Sequence, residues 1–253
     1  MSGHSHWATI KRKKGAQDAK RGAIFTRLGR ELAVAAREGG PEPDSNFRLR
    51  LAVDKARAAA MPKDKIESAI RRGSGLDKDA PAFEEAMYEG YGPHGVAMMV
   101  KVLTDNKNRA VADVRRVFSR HGGNMAESGA VAWGFEQRGY IQCPRNGQSE
   151  DTIFEMVLEA GADDVEIGAE LVEVYTAPDQ LHAVRQALER AGLKAESAEL
   201  VMKPRNLVNV AAKDAVSVMG LIDALEELDD VQQVYSNLDF SEEAVSQYEA
   251  QAA

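Results

Sequence analysis

The spacing of apolar residues changes once along this chain, and that change limits the folds open to it. Up to Gly73 the hydrophobic positions follow a helical repeat; past Pro81 strand-length runs alternate with helical stretches. Ile24, Leu28, Leu32 and Ala35 form one stripe of a helix expected over 16–38, which Gly39-Gly40-Pro41 stops. Asp44 or Ser45 is placed to cap a second helix, with Leu49, Val53, Ala56 and Ala60 turned inward. Pro62 ends that helix and opens a third, with Ile66, Ala69 and Ile70 inward and Gly73 as its C-terminal stop. Three short, closely joined helices make a bundle. Gly73-Ser74-Gly75 through Pro81 reads as a hinge.

Beyond the hinge, 96–103 has strand character, 108–121 helical and 130–135 strand character. From Tyr140 the predicted order is strand 140–143, helix 150–160, strands 163–167 and 171–176, helix 178–191 and strand 196–202. That is the βαββαβ order of a ferredoxin-like unit. A strand at 207–210, a helix at 214–228 and a strand at 231–235 complete a second such plan with the earlier segments. The expected fold is therefore α+β, an N-terminal three-helix head followed by two ferredoxin-like α/β domains, one inserted in the other. The expected boundaries are 1–80 for the head, 82–137 plus 205–240 for the discontinuous domain, and 138–204 for the insert. The polar tail after Phe240 is expected to fray.

Charge divides the chain at the same hinge. The net charge is −8, yet residues 1–80 hold 18 Lys+Arg against 10 Asp+Glu, and residues 81–253 hold 14 against 30. A basic end on an acidic chain points to a polyanion partner for that end. The candidate nucleic-acid-binding residues are Lys11, Arg12, Lys13, Lys14, Lys20, Arg21, Arg27 and Arg30. Cations at a helix start oppose its dipole, whereas the free N–H groups there favour phosphate. The cluster therefore gains from a phosphate partner more than from solvent. Trp7, just upstream, is a further candidate that either stacks on a base or packs its own tail onto the bundle.

Other chemistries find little support. The single cysteine, Cys143, has no partner for an intramolecular disulfide, which fits a reducing compartment. No apolar run reaches the roughly 20 residues of a membrane span, and Met1–Trp7 has no secretory character; a cytoplasmic protein is expected. His4 and His6 lack the acid or thiol neighbours of a metal site, so neither metal nor cofactor is expected. Gly90-Tyr-Gly92-Pro-His-Gly95 spells a dinucleotide fingerprint but precedes a strand rather than a helix, so it reads as a turn. Glu226-Glu-Leu-Asp229-Asp230 reads as a solvated turn, and no spacing commits a serine or histidine to catalysis. A non-enzymatic protein is expected. Residues 139–204 carry 5 Lys+Arg against 13 Asp+Glu, a balance that repels phosphate even though Tyr140 and Tyr175 could share a sheet face. That unit is expected to meet protein or to act as a spacer.

The blocks Gly3-His-Ser…Trp7-Ala, Ala16-Gln-Asp-Ala-Lys-Arg-Gly22, Arg48-Leu-Arg-Leu-Ala-Val-Asp-Lys55 and Met61-Pro-Lys-Asp-Lys-Ile66 resemble the YebC/PmpR family. Tyr88-Glu-Gly-Tyr-Gly-Pro93, His121-Gly-Gly-Asn124, Glu127-Ser-Gly129…Trp133 and Leu228-Asp-Asp-Val231 extend the resemblance over almost the whole chain. It implies a helical head with two α/β domains, and a probable transcriptional regulatory protein that binds DNA. Related members include a mitochondrial translational activator of cytochrome oxidase, and others are linked to ribosomes stalled on proline-rich products. The alternative implied is thus a ribosome-associated translation factor contacting ribosomal RNA or tRNA. The lack of a leader before Gly3 favours a bacterial-type cytoplasmic member. His6 stands where lysine is expected in the family, His94 where glycine is, and Phe47 where proline is.

Overall fold

A computed structural model describes residues 21–75 and 83–252. The head contributes α1 (Arg21–Gly39), α2 (Phe47–Ala58) and α3 (Lys63–Gly73). Leu32, Ala35, Leu49, Ala52, Val53, Ala56, Ile66 and Ala69 form its core. The cap of α2 is Asn46 rather than Asp44 or Ser45. Its Oδ1 accepts from Leu49 N at 3.0 Å while its Nδ2 donates to the carbonyls of Ala35 and Gly40 at 2.7 and 2.8 Å. One buried side chain thus closes the end of α1 and the start of α2 together. Gly73 is not a left-handed stop. It lies inside α3, where a Cβ would fall 2.0 Å from the Ala33 carbonyl oxygen, so its role is to let α1 and α3 approach.

The body holds two four-stranded antiparallel sheets. The first is built from β1 (Glu84–Tyr91), β2 (Ala97–Thr104), β3 (Asn124–Ala126) and, far along the chain, β8 (Val231–Ser236). Its order is β3-β1-β2-β8, and α4 (Lys107–Arg120) and α7 (Ala212–Glu226) cover one face through Val100, Val114, Phe118, Val218 and Ile222. The second sheet joins β4 (Phe135–Pro144), β5 (Asp164–Ile167), β6 (Leu171–Thr176) and β7 (Ser197–Pro204) in the order β5-β6-β4-β7. Helices α5 (Glu150–Glu159) and α6 (Leu181–Arg190) back it through Ile153, Val157, Leu181 and Leu188. Ala97, Met99 and Tyr235 of the first sheet meet Val201 and Met202 of the second, so the faces without helices turn toward each other.

Both units have the ferredoxin-like strand order, but they reach it differently. The inserted unit follows the βαββαβ path directly. In the outer unit the strand between β2 and β3 is β1, which precedes β2 instead of following β3. The strand expected at 207–210 is only a single bridge from Val208 to Leu238. The strand expected at 130–135 is displaced: 124–126 pairs with β1, and 132–134 is a 3-10 turn leading into β4. The Gly-rich 92–95 segment is, as expected, a turn into β2, and His94 adopts a left-handed φ of 61° there. The tail does not fray: α8 (Glu242–Ala252) packs Ala244 and Val245, both fully buried, against α7.

Candidate nucleic-acid interface

Trp7, Lys11, Arg12, Lys13, Lys14 and Lys20 lie outside the described residues, and Arg21 opens α1. The remaining two candidates, Arg27 and Arg30, both face inward. The Arg27 guanidinium donates to the Glu226 carbonyl at the end of α7. Arg30 donates to the Asp229 carbonyl and forms an ion pair with Asp230 at 2.9 Å, the two side chains being only 13% and 10% exposed. Arg30 also lies over the Phe83 ring, 5.4 Å from its centroid. A helix C-terminus carries unpaired carbonyls and partial negative charge, so two guanidinium groups seat well on it. Burial draws Arg27 below its ordinary pKa, although Glu226 and Asp229 oppose the shift. A phosphate would have to displace these contacts to reach either arginine.

The acidic turn after α7 is only in part the solvated turn expected from the sequence: Glu227 and Asp229 are exposed, but Asp230 is not. Asp230 is buried, and besides Arg30 its carboxylate accepts from Thr104 Oγ1 at 2.9 Å and Arg109 at 2.8 Å. Arg109 belongs to α4, whose cap Asn106 is fixed by its own side-chain bond to Arg109 N. One carboxylate thus joins head, central strand and helix. Further contacts repeat the pattern. Arg48 of α2 pairs with Glu38 and with Glu85 of β1. Lys55 pairs with Glu31 at 3.5 Å and with Glu199 of β7 at 2.6 Å. Burial alone would lower the Lys55 ammonium; Glu199 and Glu31 outweigh it and hold the pKa above its ordinary value. Asp54 receives Arg185 of α6 at 3.0 Å. The head is fastened to both units of the body by charge, with Phe47 edge-on to His182 at 5.1 Å adding apolar contact.

What remains outward on the head is a second basic set that the sequence reading did not single out. Arg57, Lys63, Lys65, Arg71 and Arg72 are exposed. Among the described residues only Lys63 of these makes an ion pair, with Glu67 at 3.6 Å. Arg71 and Arg72 sit in the last turn of α3, where cations also suit the dipole. Their scatter along the sequence hid them, because a local run of cations is conspicuous while single exposed cations are not. Among the described residues no cluster of His, Cys, Asp and Glu could hold a metal ion, and no helix is long and apolar enough to cross a membrane.

In the body, the motif Glu127–Trp133 forms a loop held by Glu89. That carboxylate accepts from the backbone N–H groups of Gly129, Val131 and Ala132 at 2.7–2.9 Å. The loop exposes 74% of Trp133, whose indole N–H is taken up by the Ala130 carbonyl.

Two family models cover nearly all of the chain: the TACO1/YebC protein N-terminal domain matches residues 5–76, and the TACO1/YebC second and third domain matches 83–238. A relative from Rubrobacter xylanophilus is 53% identical over 247 residues, covering 98% of this chain and 99% of its own. Another, from Acidithiobacillus ferrooxidans, is 54% identical over 250 residues, covering 99% of each. Both bear the name "Probable transcriptional regulatory protein". The crystal structure of a conserved hypothetical protein from Aquifex aeolicus superposes with a TM-score of 0.84 at 46% identity, covering 89% of this chain and 93% of that one. On these matches the chain belongs to the TACO1/YebC family.

Proposed function

We propose that this protein is a non-catalytic, cytoplasmic nucleic-acid-binding regulator, whose basic helical head grips phosphate backbone, with transcriptional control through DNA as the leading reading. The observation that carries it is the division of the head's cations. Arg27, Arg30, Arg48 and Lys55 are spent on docking to the acidic body. Arg57, Lys65, Arg71 and Arg72 are left exposed and free of ion pairs among the described residues, and the Lys11–Lys14 run lies in the same N-terminal stretch of sequence. The names of the relatives support the regulatory part of the reading. The acidic body then serves as a surface for protein rather than for nucleic acid.

A second reading, a ribosome-associated translation factor on ribosomal RNA or tRNA, draws on the chemistry of the exposed set. It holds only Arg and Lys, with no Asn or Gln to read adenine edges, so it suits phosphate geometry better than a base sequence. Binding of labelled duplex DNA and structured RNA over a range of salt tests both readings. About six phosphate contacts give a log–log slope near −5 on duplex DNA. A flat salt response, or binding that survives charge reversal of Lys11–Lys14 together with Arg57, Lys65, Arg71 and Arg72, would sink the head as the grip. Co-sedimentation with ribosomes that survives DNase but not RNase selects the second reading.

A further inference from the structure

Between the facing sheets lies a cleft of about 550 Å³. Tyr140 and Tyr175 are directly opposed across β4 and β6, with ring centroids 5.5 Å apart, and both line it together with Tyr235. Glu166 adds a carboxylate to its wall, Glu199 another that already pairs with Lys55 of the head, and Glu173 accepts from the Tyr140 hydroxyl at 2.6 Å. The chain already seats one ammonium here. Lys203 Nζ lies 3.5 Å from the Tyr175 ring centroid, with Asp164 at 2.9 Å and Glu166 at 3.8 Å. An aromatic face edged with carboxylates is the chemistry that binds organic cations. At one margin, Arg205 N donates to the Gly134 carbonyl at 2.9 Å, next to exposed Trp133, and half-exposed Leu207 lines the opening.

We infer that this cleft receives an arginine or lysine side chain from a basic segment of a partner protein, with Lys203 occupying the cation position until the partner arrives. A single basic side chain leaves room for its neighbours within that volume. The inserted unit's 5 Lys+Arg against 13 Asp+Glu supplies long-range attraction for a basic partner and repulsion for nucleic acid. The exposed Trp133 and Leu207 offer apolar contact to the residues that flank the inserted cation. This rests on the reading of the acidic body as protein-facing, and not on the nucleic-acid reading of the head.

The test is fluorescence anisotropy of a labelled Arg-rich nonapeptide titrated with the full chain and with variants checked for unchanged circular dichroism and melting. Glu166→Gln and Tyr175→Leu should each weaken binding about tenfold. Glu155→Gln, on the exposed surface of α5, removes the same charge and should change it less than twofold. Lys203→Met should strengthen binding several-fold by vacating the position, whereas Lys194→Met, an equal charge change at an exposed site, should not. Equal weakening by Glu155→Gln and Glu166→Gln, or equal strengthening by both lysine variants, would show diffuse attraction and overturn the cleft while keeping a protein-facing body. No peptide binding at all would overturn both. Tighter binding of an oligouridylate than of the peptide, lost in Tyr175→Leu, would assign the cleft to nucleobases instead.

Discussion

Asp230→Ala removes the carboxylate on which the head, β2 and α4 converge, and the structure allows its cost to be worked out. Three donors lose an acceptor: Arg30, which keeps the Asp229 carbonyl, Arg109, which keeps Asp105 at 2.8 Å, and Thr104. Taking one partner from a buried ion pair costs about 3–5 kcal/mol, because the other charge stays desolvated. The Arg109 side chain is 47% exposed and rehydrates, so it adds little; the Arg30 side chain, at 13%, cannot. Thr104 is 1% exposed, but its hydroxyl keeps a contact with the Asn106 carbonyl at 3.2 Å. The low end of the range is therefore expected, about 3 kcal/mol. For a chain of this size that lowers the melting temperature by about 6–12 °C. Asp230→Asn, which keeps an acceptor, should lose about half as much. Calorimetry of the full chain, with an Arg30→Met/Asp230→Asn double-mutant cycle, measures the loss and the coupling between head and body. A loss under about 2 °C for Asp230→Ala, or a coupling near zero, would refute the claim that this carboxylate fastens the head.

Three further outcomes follow from single positions. Gly73→Ala places a methyl 2.0 Å from the Ala33 carbonyl oxygen, so α1 and α3 must separate; a loss of about 1–3 kcal/mol is expected by denaturant titration. Burial alone would raise the Glu89 carboxyl, but the Gly129, Val131 and Ala132 N–H groups outweigh it and hold its pKa below the ordinary value. Its stabilising contribution is therefore present above the ordinary carboxylate range and is lost as pH falls through the lowered value. Glu89→Gln should flatten this part of the acid limb in a pH series of melts and mobilise Trp133 emission; an unchanged limb would refute the assignment. Burial pushes the Cys143 thiol up to about 12, so native protein at pH 8 should resist iodoacetamide and react only once unfolded.

The elements most legible in the sequence are those whose apolar pattern is set by one buried face. The α4 stripe, β6 and α6 lie within a few residues of where the sequence pattern puts them, because Val114 faces one core and Val174 and Leu188 the other. β1 was not read, because its Glu84, Glu85 and Glu89 spoil strand alternation. All three glutamates point to partners distant in sequence: Glu84 to Lys107, Glu85 to Arg48 and Lys101, Glu89 to the loop before β4. Without β1 the sequence pattern reaches four strands only by counting 207–210, where the structure has a single bridge from Val208 to Leu238. The α8 helix was missed for the opposite reason. Its apolar residues are sparse in sequence, but Ala244, Val245 and Tyr248 fall against the first core.

Charge was legible as a sum and not as a set of contacts. The basic excess of residues 1–80 is plain from composition, yet composition assigns Arg27 and Arg30 to the same grip as Lys11–Lys14. The structure turns Arg27 and Arg30 inward: the face of α1 that carries them is the face that meets the end of α7. The acidic turn 226–230 showed the same ambiguity from the other side, since a run of carboxylates near a helix end is usually hydrated. Neither half could be resolved alone, because each looks like a surface until the other is present. It follows that a count of head cations overstates the phosphate contacts available while the head is docked. Reversing Arg27 or Arg30 should therefore loosen the head, whereas reversing Arg71 and Arg72 should weaken nucleic-acid binding and leave docking intact. Comparing the melting temperature with the salt slope across these two pairs separates the effects. If Arg27 and Arg30 variants melted normally but bound nucleic acid poorly, both arginines would belong to the grip after all.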